Sequence, residues 1–477
     1  MSSNSRAITS HPTLKSDPWP ARWLWLASDR YPAAQTAPIS WWSADAHQAG
    51  RLGVAGLLRG TFLFTAVPNR VFLRVSADSR YRLWINDRWV GRGPAMVGGS
   101  YAKIDAPNWW YYDMIEVTPF LRAGANVVAA EVITGPDNQT HFSQGQAGFA
   151  AEWFDEQGMA IAGCWRGIAF TGYRIGQWSG FTRECDLGQY PAGWRTVAFD
   201  DQAWPDLVEI APRPALLAHH LPPLAETRVQ PVDSDVLTLE SGETVQVKFE
   251  HLLAGHLQFT ARAAAATAIH VVFEEMPGGT EPETRQLKLT LPAGETVYES
   301  AAYFSARSLR MTASGPLELR GVGMLSRSQP VQDRGAFECS DPFLNDLWRG
   351  MLAENPHGLH EMWTQGDWSH AWSGTPLVQL SRRVLGVEAL EPGWRRVRLK
   401  PCPLDIAWAR GVVPTPQGEV RIEWERREDT VQVQVQAPDG IEIITEGGRQ
   451  GPDVSQQTGV LTCTISFTLP TPASPGM

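Results

Sequence analysis

The sequence predicts a mainly β protein, built from several jelly-roll-like sandwiches with one short helical stretch between the second and the last. Three observations lead there. Apolar residues recur at every second position in most of the regular stretches, as in half-buried strands. Turn formers are abundant, with 43 Gly and 35 Pro in 477 residues, which suits short strands joined by tight connections. Only two stretches, one after Asp341 and one after Thr375, carry apolar residues at helical spacing.

In chain order, residues 1–17 lack an apolar core of the signal-peptide kind and predict a loose tail. A first sandwich is expected over 18–225. There Val71, Leu73 and Val75 alternate, Tyr81 to Ile85 alternates in turn, and Asn86-Asp87 supplies a hairpin turn before Arg88 to Val90. Further strands read at Asn126 to Ile133 and Gly148 to Phe154. A second sandwich is expected over 230–330, beginning with Val245, Val247 and Phe249. Its alanine-rich stretch Ala261 to Ala266 invites a helical reading, but Leu257, Phe259, Ile269, Val271 and Phe273 are spaced two apart and argue for strands. Glu274-Glu275 reads as a solvated strand end.

A helical segment is expected over 335–392. Asp341 is placed to cap a helix with Pro342 in its first turn, and Phe343, Leu344, Leu347, Trp348, Met351 and Leu352 form one apolar stripe. That stripe needs cover, from a second helix beginning at Pro376, from the sandwiches, or from a second copy or partner chain. The second helix has Thr375 as its cap and Leu377, Leu380 and Val384 at helical spacing. A last sandwich is expected over 393–468, where Val431, Val433 and Val435 alternate strictly with Gln432, Gln434 and Gln436. Residues 469–477 read as a second tail.

Composition narrows the function. With 41 basic and 51 acidic residues the formal charge is −10, and no basic block interrupts it, so a nucleic-acid partner is not expected. No apolar run reaches membrane-spanning length, and a cytoplasmic protein is the expectation. The five cysteines, Cys164, Cys185, Cys339, Cys402 and Cys463, are widely spaced and include no CxxC pair, which indicates neither zinc nor a disulfide framework. The 21 tryptophans fit two readings equally, buried sandwich cores or exposed sugar-stacking faces.

Chemistry concentrates between Asn355 and Leu390. Glu361, Asp367 and His370 stand among Trp363, Trp368 and Trp372. Carboxylates carry the proton transfers of glycosidic cleavage, and flat indoles accept the apolar face of a pyranose. From the residues alone, a tryptophan-rich loop with solvated charges is the competing reading.

The runs HEMW, SHAWSGTP and RRVLGVEALEPGWRRVRLKPCP resemble the end of the catalytic domain and the C-terminal domain of bacterial α-L-rhamnosidases. YRLWIND followed by WVGRGP, and YYD…VTPFLRAGANV, resemble that family's N-terminal sandwich, while FECSDPFLNDLW resembles the opening helix of its catalytic barrel. The family inverts configuration in an (α/α)6 barrel. The resemblance implies that Glu361 is the general base, that His370, Trp363, Trp368, Trp372 and Asp367 contact substrate, and that the ligand is an L-rhamnose-containing glycan. Such a barrel needs about twelve helices, and most of it, with the general acid, has no counterpart here. Glu354 and Asp367 flank Glu361 but read as solvated loop acids. The resemblance therefore implies a protein that binds such glycans with little or no hydrolysis. An active hydrolase using Glu361, and an internally deleted remnant without activity, are the alternatives. Related N-terminal modules bind rhamnose with calcium; Asp105, Asp137 and Asn138 are oxygen donors of the right kind, though turn residues look the same. No cofactor is otherwise required.

Overall fold

The computed structural model describes residues 19, 21–27, 54–94, 110–134, 147–158, 160–161, 163–175, 182–210, 216–219, 223–232, 236–275, 285–328, 330, 334–349, 375–445, 448–457 and 460–468. The chain is mainly β, as its alternation predicts, and divides into two units, Met1–Pro330 and Val331–Met477. Among the described residues no helix is long and apolar enough to cross a membrane.

In the first unit two mainly antiparallel sheets face one another. One has Val71–Asp78 between Gly148–Asp155 and Trp110–Glu116; the other runs Cys164–Phe170, Val54–Phe64, Gly124–Thr134, Arg80–Ile85, Arg88–Gly93. Alternation sends Val71, Leu73 and Val75 inward, where they meet Leu58, Tyr81, Leu83, Val128 and Trp153. Each fully buried aliphatic side chain there contributes about 1.5 to 3 kcal/mol. The hairpin turn falls on Asn86 and Asp87, both at positive φ (51° and 61°), the geometry that Asn and Asp tolerate and a two-residue turn requires. Asn86 is tied down by its side chain, which donates to Asn126 Oδ1 (2.8 Å) and accepts from Val127 N (3.1 Å).

The same unit holds a ten-stranded sheet. Its longest strand, Thr244–Ala263, pairs first with Phe304–Ala313 and later with Gly294–Glu299 and Leu317–Ser328, with a register break between Lys248 and Leu253. The break lets one strand serve two parts of a curved sheet. Inside lie Leu257, Phe259, Ile269, Val271, Phe273, Leu309 and Met311. The alanine-rich stretch is strand up to Ala263 and turn beyond it.

Glu274 and Glu275 correct an expectation. They are buried, at 1% and 3% exposure. Glu274 accepts from Ser308 Oγ (2.8 Å) and Gln246 Nε2 (3.1 Å), and Glu275 faces Arg285 (3.0 Å) and Ser305. Neighbouring strands, far off in sequence, supply the donors that make burial of the charge tolerable.

The second unit has a six-stranded sheet, in the order Ala336–Cys339, Trp408–Thr415, Gly418–Arg427, Thr430–Pro438, Val460–Thr468, Gly448–Gln457, and a three-stranded sheet of Val387–Ala389, Arg396–Leu399 and Glu442–Thr445. Val431, Val433 and Val435 are buried, whereas Gln434 and Gln436 are exposed and Gln432 half-buried. The described residues contain two α-helices, α1 (Pro342–Arg349) and α2 (Thr375–Gln379), both in this unit.

Among the described residues tryptophan serves mainly as core. Trp19, Trp23, Trp25, Trp84, Trp153, Trp194, Trp204 and Trp424 are buried, and Trp89, Trp165, Trp348, Trp394 and Trp408 are half-buried.

Candidate functional site

Glu361, Trp363, Asp367, Trp368, His370 and Trp372 all fall in residues 350–374, outside the described residues. The structure does fix the two ends of that stretch. At the start, Asp341 Oδ1 accepts from Phe343 N (2.8 Å), the capping the sequence predicts. Asn345 fastens α1 to its own unit, accepting from Cys339 N and donating to Cys339 O, each at 2.8 Å. The apolar stripe is divided: Leu344 and Trp348 pack on the unit's core, with the Trp348 ring 5.5 Å from that of Phe337, while Phe343 is 70% exposed.

At the far end, α2 runs into a π-turn over Leu380–Val384. Leu380 and Leu385 are buried, and the Val384 carbonyl accepts from Trp424 Nε1 (2.9 Å). α1 and α2 touch one another. The described carboxylates beside them are engaged: Asp341 in the cap, Asp346 with Arg349, and Glu388 with Arg382 and Arg398. Each acts as an acceptor for a fixed cation or N–H, a structural role rather than a proton-transfer role.

Asp105, Asp137 and Asn138 also lie outside the described residues. The strand ends that lead to them gather round one polar group. Tyr81, on one sheet of the sandwich, donates its hydroxyl to Asp113 Oδ2 on the other (2.5 Å), and His219 Nδ1 is 3.6 Å from Asp113 Oδ1. The Tyr111 ring meets His219 edge-on at 5.6 Å. Gly93 closes the cluster by necessity, since a Cβ there would stand 2.1 Å from Asp113 Oδ2. Burial pushes the Asp113 carboxyl up to about 6, against the pull of the Tyr81 hydrogen bond. A carboxyl, a phenol and an imidazole at the loop end of a sandwich can both give and take hydrogen bonds, as sugar hydroxyls demand. Among the described residues no group of three His, Cys, Asp or Glu side chains is arranged to hold a metal ion.

A third polar assembly was not singled out in the sequence. It forms a seam between the outer face of the five-stranded sheet and the ten-stranded sheet. Glu131, 1% exposed, accepts from Tyr173 (2.9 Å) and Tyr190 (2.7 Å) and faces Arg82 at 3.5 Å. Arg82 reaches on to the Glu299 carbonyl (3.4 Å). Glu299 also binds Arg92 (2.7 Å) and accepts from Gln258 (2.7 Å), and Glu226 Oε1 lies 3.2 Å from Arg92 Nε and 3.1 Å from Arg327 Nε. Burial pushes the Glu299 carboxyl up, but Arg92 and Arg82 outweigh it and hold the group below the usual range. Burial, then the Glu131 charge, raises the Tyr173 and Tyr190 phenols well above theirs. The available signal was Glu131 itself, a lone carboxylate within the apolar run Val127 to Ile133.

Residues 386–444 match the family described as the bacterial alpha-L-rhamnosidase C-terminal domain. Among curated proteins none matches the chain. In fold the chain is similar to the GH78 rhamnosidase of Bacillus sp. GL1, with a TM-score of 0.66 at 13% identity over 90% of this chain and 98% of that one. The α-L-rhamnosidase of Aspergillus terreus gives 0.60 at 12% identity, over 94% and 86%. That of Streptomyces avermitilis, complexed with L-rhamnose, gives 0.57 at 12% identity, over 88% and 71%.

Proposed function

We propose, from the premise that this chain is a relative of the bacterial α-L-rhamnosidases lacking most of their (α/α)6 barrel, that it binds L-rhamnose-containing glycans and turns them over little or not at all. The observation that carries this reading is the brevity of the helical part. Between Ala336–Cys339 and Val387–Ala389, strands of the C-terminal unit, the described helical elements are α1, α2 and the π-turn that continues α2. Inverting hydrolysis needs an acid and a base about 6.5 to 9.5 Å apart, held where bulk water is excluded. Glu361 is the base in this reading and no partner acid is provided for it. Trp363, Trp368 and Trp372 offer stacking faces, and Asp367 and His370 offer hydrogen bonds to sugar hydroxyls.

The test pairs hydrolysis of p-nitrophenyl α-L-rhamnoside with calorimetric titration of L-rhamnose, for the wild type and Glu361→Gln. Saturable binding without release of nitrophenol is the expected result. Release that Glu361→Gln abolishes would establish an active hydrolase instead, and neither binding nor release would leave a remnant. Chelation with EDTA is expected to leave binding intact; its loss would direct attention to calcium at Asp105, Asp137 and Asn138.

A further inference from the structure

Among the buried polar atoms of the seam without a hydrogen-bond partner, His256 Nε2 stands with nitrogens of Arg82, Arg92 and Arg327, Arg92 Nη1 among them. His256 is 3% exposed on Thr244–Ala263 and points Nδ1 at the carbonyl oxygens of Ser300 (2.8 Å) and Ala302 (3.1 Å). Carbonyls only accept, so Nδ1 carries the proton and Nε2 of the neutral ring is an acceptor. Arg92, whose side chain is 8% exposed, holds an unused N–H.

The surroundings penalise any charge on this ring. Arg92 on Arg88–Gly93, Arg82 on Arg80–Ile85 and Arg327 on Leu317–Ser328 all act on it. Tyr303 meets the ring edge-on at 5.8 Å. The anions of the seam are already committed: Glu226, from Ala225–Val229, spans Arg92 and Arg327; Glu299 spans Arg92 and Arg82; and Glu131 faces Arg82. Burial first, and the arginines after it, push the imidazole well below its ordinary range.

We propose that neutral His256 is a proton-sensitive latch on this seam. Uptake of one proton from solvent at Nε2 turns an acceptor into a further buried cation among three guanidiniums, and the hairpin bearing Arg82 and Arg92 parts from the ten-stranded sheet. The unfolded imidazole titrates near about 6.5 and the folded one lower. Stability from this group is therefore complete above that value and is lost as pH falls below it. Glu299 is held charged by Arg92 and Arg82, so the acid opening begins at His256 and not at protonation of Glu299.

Hydrogen–deuterium exchange of the full chain between pH 7.5 and 4.5, corrected for intrinsic rates, tests this. Protection in residues 80–93 and 299–304 is expected to fall about tenfold or more by pH 5, with residues 431–437 unchanged as the internal reference. His256→Gln can donate to the Ser300 carbonyl but cannot take up a proton, and is expected to keep its protection. A flat wild-type profile, or equal loss in His256→Gln, would overturn the latch. Should that variant fail to fold, Arg327→Gln serves: removal of one guanidinium must shrink the acid opening, and an undiminished opening is equally fatal.

Discussion

Asp113 shows how one residue makes the first sandwich sensitive to pH in the opposite direction from His256. Its carboxyl titrates near about 6 because it is buried, whereas an unfolded aspartate does so near about 3.9. The folded state therefore holds the proton more tightly. Stability from this group is complete below the unfolded value and is lost as pH rises through about 6. Asp113→Asn keeps an acceptor for Tyr81 and removes the charge, so it is expected to be more stable than wild type at pH 8 by about 1 to 3 kcal/mol. At pH 4 the two should melt together. Thermal denaturation across pH 4 to 8 measures the difference, and a constant offset would show that Asp113 is charged throughout. None of this was legible in the sequence, because Tyr81, Gly93, Asp113 and His219 are brought together by strand pairing and by the facing of two sheets. Glu274 and Glu275 were misread for the same reason, since the serines that receive them lie on another strand.

At the level of elements, local signals carried well wherever a single period ruled the stretch. The 431–436 alternation, the Asn86-Asp87 turn and the Asp341 cap all appear as their residues dictate. α1 shows the limit. Its stripe was expected to find cover from a second helix, the sandwiches or a second chain; Leu344 and Trp348 face the core and Phe343 faces outward, because the six-stranded sheet meets only one side of so short a helix. Trp348→Ala is accordingly expected to cost about 2 kcal/mol, whereas Phe343→Ser should stay within about 0.5 kcal/mol. Urea unfolding of both variants checks this, and a large loss in Phe343→Ser would mean that its ring is covered in solution. The π-turn at Leu380–Val384 had no sequence signal, since Leu377, Leu380 and Val384 fit an ordinary helix equally well.

Across the whole molecule, fold class was written in dispersed alternating strands, while the ionic seam was not. Its partners are remote in sequence, as with Arg92 and Glu299, and only their pairing makes so many buried charges tolerable. Removing one anion exposes that dependence. Glu131→Gln leaves Arg82 with only the more distant Glu299 carboxylate, 3.9 Å away, and is expected to cost about 3 kcal/mol, read from urea unfolding. A loss under 1 kcal/mol, roughly that of an exposed pair, would show that water reaches this seam.

The contact between α1 and α2 has a consequence for the architecture of such chains. The polypeptide leaves one core and re-enters it at nearly the same spot, so the spot works as a socket. Loop-closure cost grows by only about 0.6 kcal/mol for each doubling of the intervening length. Spans of very different length can therefore be accommodated there while the wiring on either side stays as it is. A change in what lies between them then becomes a single exchange, with Asn345 and Leu380 as the two fixed terminals.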